Sequence, residues 1–196
     1  MFMLYALVIG LVVGRLLGGR LDRIAALRFR WVPLALAGLA VQVALFSSPL
    51  TERVGALGPP LYVASTIAVL VVVGRNITIP GLALVALGAL SNLAAIVANG
   101  GFMPASPSAL EALGRTAETG FSNSVVLTDP VLAPLTDVFA MPAFLPFANV
   151  FSVGDVLIGL GVGLALVSAM RRPVRPDNSP DRPGGTSTSG LFRTRP

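Results

Sequence analysis

Apolar residues in this chain fall into five long blocks, separated by short polar or arginine-bearing breaks. The blocks lie at about residues 2–18, 31–47, 59–75, 77–98 and 153–170. Uncharged apolar runs of this kind are the mark of transmembrane helices, which need roughly 20 such residues to cross a bilayer. The shorter blocks must lean on flanking residues or thin the bilayer locally. The first block has no basic residues ahead of it and no small-residue cleavage site behind it, so it reads as a span and not as a signal peptide. The expected fold is all-α: a polytopic membrane protein of five transmembrane helices, forming one domain over residues 1–170. The remaining residues, 171–196, are rich in Pro, Gly, Ser and Thr, which predicts a disordered tail.

The connection between the fourth and fifth blocks, residues 99–152, is not an ordinary solvated loop. It carries few charges, six prolines between Pro104 and Pro146, and apolar runs such as Val125-Val126-Leu127. Ser108-Ala109-Leu110-Glu111 fits a capping box, and Leu110, Leu113 and Ala117 would then share one face of a short interfacial helix. Phe139, Phe144, Phe147 and Phe151 are expected at the headgroup layer. The segment is read as a lid folded over the helix ends.

Charge orients this arrangement. All 14 basic residues are arginines. If the amino terminus lies outside, twelve of them, including Arg15, Arg20, Arg23, Arg28, Arg30, Arg75, Arg171 and Arg172, fall on the cytoplasmic side. Only Arg53 and Arg115 fall outside with the lid. That bias predicts an inner membrane protein with its amino terminus outside and its carboxyl terminus in the cytoplasm. The net charge of +5 does not imply nucleic-acid binding, because the arginines flank apolar blocks. Tail arginines instead predict contact with anionic lipid.

Composition narrows the chemistry further. Charged residues make up 12%, about half the share of a soluble domain, and mean hydropathy is +0.82. Cysteine and histidine are absent, which removes disulfides, thiol nucleophiles, imidazole bases and the usual zinc ligands. No metal or cofactor is expected. Lysine is absent as well, and such arginine- and alanine-rich usage suggests a GC-rich bacterial genome.

Few polar residues remain inside the blocks. Asp155 sits one turn into the fifth, and an intramembrane carboxylate is costly enough to need a reason. Two readings fit: a site carboxylate facing the lid, or a helix cap with Ser152 as N-cap and Asp155 at N3. Asn92, in the outer half of the fourth block, needs partners in a low dielectric; it either binds a ligand or joins two helices. Gln42 has the same two readings. Asn99-Gly100-Gly101 suits a sharp turn, or a nest of N–H groups for an anionic headgroup. Asp129 and Asp137 are external carboxylates whose default role is turn capping. Asn76-Ile77-Thr78 fits the glycosylation pattern but falls on the cytoplasmic side.

Two stretches resemble a known family. Asn92-Leu-Ala-Ala-Ile-Val-Ala-Asn99-Gly100-Gly101-Phe102-Met103-Pro104 and Phe151-Ser152-Val153-Gly154-Asp155-Val156-Leu157-Ile158 resemble an uncharacterised family of bacterial integral membrane proteins, a domain of unknown function. The resemblance implies a membrane fold and no assigned activity. The second stretch is also similar, more distantly, to the last-span motif of lipoprotein signal peptidase, which would make Asp155 catalytic. Gly88-Ala-Leu-Ser-Asn92-Leu93 looks like the stretch ahead of that enzyme's other catalytic Asp, but the matching position here is Ala95. The usual Asn before the second is Ser152. An aspartyl dyad would therefore need Asp129 or Asp137 to fold back onto Asp155.

The leading expectation is a non-enzymatic membrane protein that binds membrane lipid, a lipid-like ligand or a membrane-protein partner under the lid. Asn92, Asn99, Gly100, Gly101 and Asp155 would line that site. The alternatives are an intramembrane aspartyl hydrolase using Asp155 with Asp137 or Asp129, and a transporter subunit.

Overall fold

The computed structural model describes residues 2–46, 54–114 and 125–172. Arg53, Arg115, Ala117 and the tail beyond Arg172 lie outside the described residues. The protein is mostly helical, with few strands. Its principal helices are α1 (Phe2–Leu16), α2 (Val32–Leu45), α3 (Gly58–Arg75), α4 (Leu82–Ala98), the short α5 (Pro107–Glu111) and α6 (Val153–Arg171). Two helical stretches, Gly55–Arg75 and Val153–Arg171, are long and apolar enough to cross a membrane. Three shorter helices, α1, α2 and α4, are apolar but of 10–17 residues.

Three local expectations are corrected. The fourth block does not become helix at Ile77. Pro80 and Gly81 stand first, and Gly81 takes a left-handed φ of 92°, so α4 starts at Leu82 and has 17 residues. Proline lacks the N–H and glycine frees the backbone, which is why the chain turns there. The longest helix is instead α6, with 19 residues, and it extends through Arg171. The short helix does not begin at a Ser108 capping box. Ser106 occupies the N-cap and Pro107 the first turn, which its fixed φ favours. Leu110 and Leu113 pack inward on Ala105, Ala109 and Val150, so the 99–152 segment has an apolar cluster of its own.

The long helices neighbour one another in the order α2–α3–α4–α6–α1. Glycine sets the spacing in this row. On α4, Gly81, Val85, Gly88 and Asn92 lie on one face; on α6, Gly154, Ile158 and Gly161 face them. A methyl group added at Gly88 would collide with the Gly154 carbonyl oxygen, and one at Gly161 would sit 2.6 Å from the Gly81 carbonyl. The two backbones therefore touch. On its other side α6 meets α1 in the same way, with Gly10 against Gly163 and Gly14 against Met170. Gly38 performs the task between α2 and α3, where an added methyl group would press on the Ser65 carbonyl. Small residues let helices pack closely without a hydrophobic driving force.

The row has two distinct ends. At one end are all eight described arginines: Arg15, Arg20, Arg23, Arg28, Arg30, Arg75, Arg171 and Arg172. There the short 3-10 helix Leu21–Ala26 packs beneath α6, and Arg20 N–H and an Arg23 guanidinium N–H donate to the Met170 carbonyl. At the other end sits the 99–152 connection, with a two-residue antiparallel pair, β1 (Phe139–Ala140) and β2 (Val150–Phe151). We call these the arginine end and the loop end.

Candidate functional site

Asp155 and Asn92 meet at the loop end. Ser152 is the N-cap of α6; its hydroxyl accepts the Asp155 N–H at 3.0 Å, and its own N–H donates to Asp155 Oδ2 at 3.0 Å. This is a reciprocal capping box, which satisfies two of the orphan donors at a helix start. Asn92 closes the circuit from α4. Its Nδ2 donates to Asp155 Oδ1 at 3.0 Å, and its Oδ1 accepts from the Ser152 hydroxyl at 2.9 Å. Both carboxylate oxygens of Asp155 thus have donors within the chain. Gly154 makes room for this, since a methyl group there would overlap the Asn92 side-chain oxygen. Ser152 is completely buried.

Asn99 stands apart from this circuit. Its Nδ2 donates to the Ala95 carbonyl one turn back and to the Val131 carbonyl, both at 2.8 Å, and its Oδ1 accepts the Val131 N–H at 2.9 Å. The amide thus pairs with both backbone groups of a residue in the long connection, as a neighbouring strand would. Gly100 and Gly101 form the turn beside it with φ of 70° and 90°. Gly101 packs directly against Pro59 at the start of α3.

The two remaining carboxylates differ. Asp129 is exposed on the connection. Asp137 is buried at 6% exposure, and its backbone pairs with Pro104 and Ser106. Ala95, the position compared above with a catalytic Asp, is fully enclosed with Ile96 and Met103. Gln42 is glue of modest kind, donating to Thr66 on α3 at 3.3 Å.

Sequence reasoning passed over Asn76. At the arginine end, its Nδ2 donates to the Val72 and Arg30 carbonyls, and its Oδ1 accepts the Arg30 N–H at 2.8 Å. The available signal was position, because Asn76, like Asn99, directly follows an apolar block. Sequence reasoning grouped Asn92 and Asp155 at one site but did not foresee the direct hydrogen bond between them, since the partners are 63 residues apart.

A different feature lies between α1 and α6. An apolar groove of about 370 Å³ runs along them from Phe2 and Val156 to Val13 and Val167. At the loop end Phe2 stacks on Phe151 with ring centres 4.6 Å apart, and Phe151 stacks on Phe139 at 5.4 Å. The Tyr5 hydroxyl donates to the Pro146 carbonyl, and the Phe2 N–H donates to Asn149 Oδ1. Between the two strands, Phe144 and Phe147 project outward at 85% and 66% exposure.

Residues 26–167 match DUF5317, a family of unknown function, and the chain belongs to it. It is also similar to an uncharacterized protein of Thermotoga maritima, 34% identical over 113 residues, which is 54% of this chain and 61% of that protein. The chain thus spans less than two thirds of that relative. No solved structure matches.

Proposed function

We propose that this DUF5317 member is a five-span protein of a bacterial inner membrane, with residues 99–152 as an external lid. It holds a lipid-like ligand or a membrane partner on its outer-leaflet side, without catalysis. One observation carries the membrane reading: the protein is inside out. Leu16, Val43, Leu36, Leu160 and Ile9 are 59–80% exposed, while Ser65, Asn76, Asn99, Thr136, Asp137 and Ser152 are buried. Water would reverse that distribution, whereas hydrocarbon demands it, because polar groups facing lipid find no partners. A row in which each helix is flanked by at most two others leaves long apolar faces for lipid to cover. The arginine end fits the cytoplasmic side.

The satisfied circuit at Asp155 supports a locking role over catalysis. A carboxylate whose two oxygens accept from Asn92 and Ser152 holds the lid-proximal start of α6 to α4. The enclosed Ala95 likewise favours no aspartyl dyad. Ligand contact then falls to apolar surface near the lid.

Native mass spectrometry of protein released from lipid nanodiscs, wild type beside Asp155→Asn, tests the reading. A discrete lipid-like mass retained by the wild type and weakened in the variant is expected, because loosening the lock loosens the lid. Indiscriminate lipid on both would overturn ligand binding.

A further inference from the structure

We propose that the groove between α1 and α6 holds one acyl chain of an outer-leaflet phospholipid, lying along the bilayer normal. This rests on the five-span reading above and gives it a ligand class and a place.

The groove has the form of a trough. Its floor is made of small residues at helical spacing, Ala6 and Gly10 on α1 and Gly159 and Gly163 on α6. Its rims are large residues at the same spacing. Ile9 and Val13 stand 59% and 39% exposed on one side; Leu160 and Leu164 stand 60% and 46% exposed on the other. Both helices start at the loop end and run in parallel towards the arginine end, so the trough follows their shared axis.

Its dimensions select the occupant. From Phe2 to Val13 the floor spans eleven residue steps, which at 1.5 Å each is roughly 16 Å. One leaflet of a bilayer with a hydrocarbon core of about 30 Å is about 15 Å deep. The trough therefore begins beside the lid and ends near the midplane, the depth of a single acyl chain. A volume of about 370 Å³ spread over that length is a slender trough open along one side, narrower than the 10–12 Å of an α-helix with its side chains. A single hydrocarbon chain, packing at contact distances of about 4 Å, fits it. The chemistry agrees, since the walls are almost wholly apolar. The described arginines are all at the opposite end, so nothing described at the mouth selects an anionic headgroup. Recognition is of the chain.

The experiment uses the full chain in nanodiscs containing a phosphatidylglycerol with a diazirine near the end of one acyl chain. After illumination, crosslinked peptides are mapped. We expect crosslinks at Ile9–Val13 and Gly163–Val167 enriched about tenfold over the more exposed α2 face at Leu36–Val43. Gly163→Leu should abolish the enrichment by filling the floor. An added Cβ there meets nothing nearer than the Gly10 Cα at 4.0 Å, so the new side chain has room to start at the floor. Leu160→Ala with Leu164→Ala lowers a rim without touching the fold and should flatten the pattern as well. Crosslinks spread in proportion to exposure would overturn the acyl site while leaving five spans intact. Crosslinks on no helix would overturn the membrane reading itself. Labelling of Ile9–Val13 and Gly163–Val167 below that of the α2 face would show the trough closed to lipid, as by a second chain, and overturn the lipid assignment.

Discussion

Asn76 and Asn99 do the same work at opposite ends of the helix row. Each follows the last turn of a long helix, each donates to the carbonyl four residues back, and each pairs its amide with both backbone groups of one distant residue. At the arginine end the partner is Arg30, in the tight link into α2. At the loop end it is Val131, in the middle of the long connection. One amide therefore ties a helix to the link into its neighbour, and the other ties a helix to the long connection. The surroundings diverge in the same sense: the arginine end is short turns and cations, while the loop end adds the Asn92–Ser152–Asp155 circuit and its own apolar cluster. Stability should concentrate at the first end and adjustability at the second.

The sharpest test compares two glycines of one crossing. Gly81 lies at the arginine end and Gly88 towards the loop end, both on the α4 face that meets α6. Gly88→Ala forces a methyl group into the Gly154 carbonyl, an overpacking cost of about 1–3 kcal/mol. Gly81→Ala adds a similar collision with Gly161 and also places alanine at φ 92°, a further cost of about 1–2 kcal/mol. Thermal unfolding in detergent should rank Gly81→Ala as the least stable variant. Equal losses would mean that the left-handed turn carries no strain of its own.

Asn76→Ala and Asn99→Ala come next. Each removes two hydrogen bonds to the backbone of an exposed residue, at about 0.5–1.5 kcal/mol for each bond. The readouts should separate. Asn76→Ala should lower the melting temperature of the whole helical signal. Asn99→Ala should raise hydrogen exchange at Val131 and proteolysis within the connection, with a smaller shift in helix melting. Matching global losses would erase the distinction between the two ends.

The pattern of apolar blocks revealed most of this architecture. Each of the five apolar helices overlaps an expected block, because apolar runs bounded by arginine leave little choice of secondary structure. What the pattern hid was detail decided by single residues. Pro80-Gly81 delayed α4, and Pro107 drew the short helix forward to Ser106. Ser152 and Asp155 could be read as a cap from their spacing of three, but the reach of Asn92 from another helix could not. Asn76 was overlooked because a glycosylation pattern and a helix C-cap share the same residue type. Glycine content was visible; which glycines would meet backbone to backbone depended on how α6 faces two neighbours at once.

The loop-end circuit should give a smaller effect. Ser152→Ala removes the acceptor for the Asp155 N–H and the donor to Asn92, and an N-cap loss of this kind costs typically about 1 kcal/mol. Asn92→Ala should cost a comparable amount. The double variant should cost less than the sum, because the two share one hydrogen bond and one carboxylate. Additive losses in a double-mutant cycle would mean that Asp155 is held independently from each side, and that the circuit is only two adjacent contacts.

The smallest effect belongs to the most visible charge pair. Arg20 and Asp22 meet at 3.1 Å at the arginine end, with side chains 65% and 62% exposed. The Arg20 hydrogen bond holds the Asp22 carboxyl below its ordinary range, and the same bond raises Arg20. Any stability from a lowered carboxylate is present above its unfolded pKa and fades as pH falls through the folded value. Here water and salt screen the pair on all sides. Asp22→Asn should therefore melt with the wild type at neutral pH, at low and high salt, and the two should remain together into the acid range. A salt-sensitive drop at neutral pH that disappears on acidification would show that charge helps to hold this end. Coincident curves would leave the buried amide of Asn76 and the touching glycines as its fastenings.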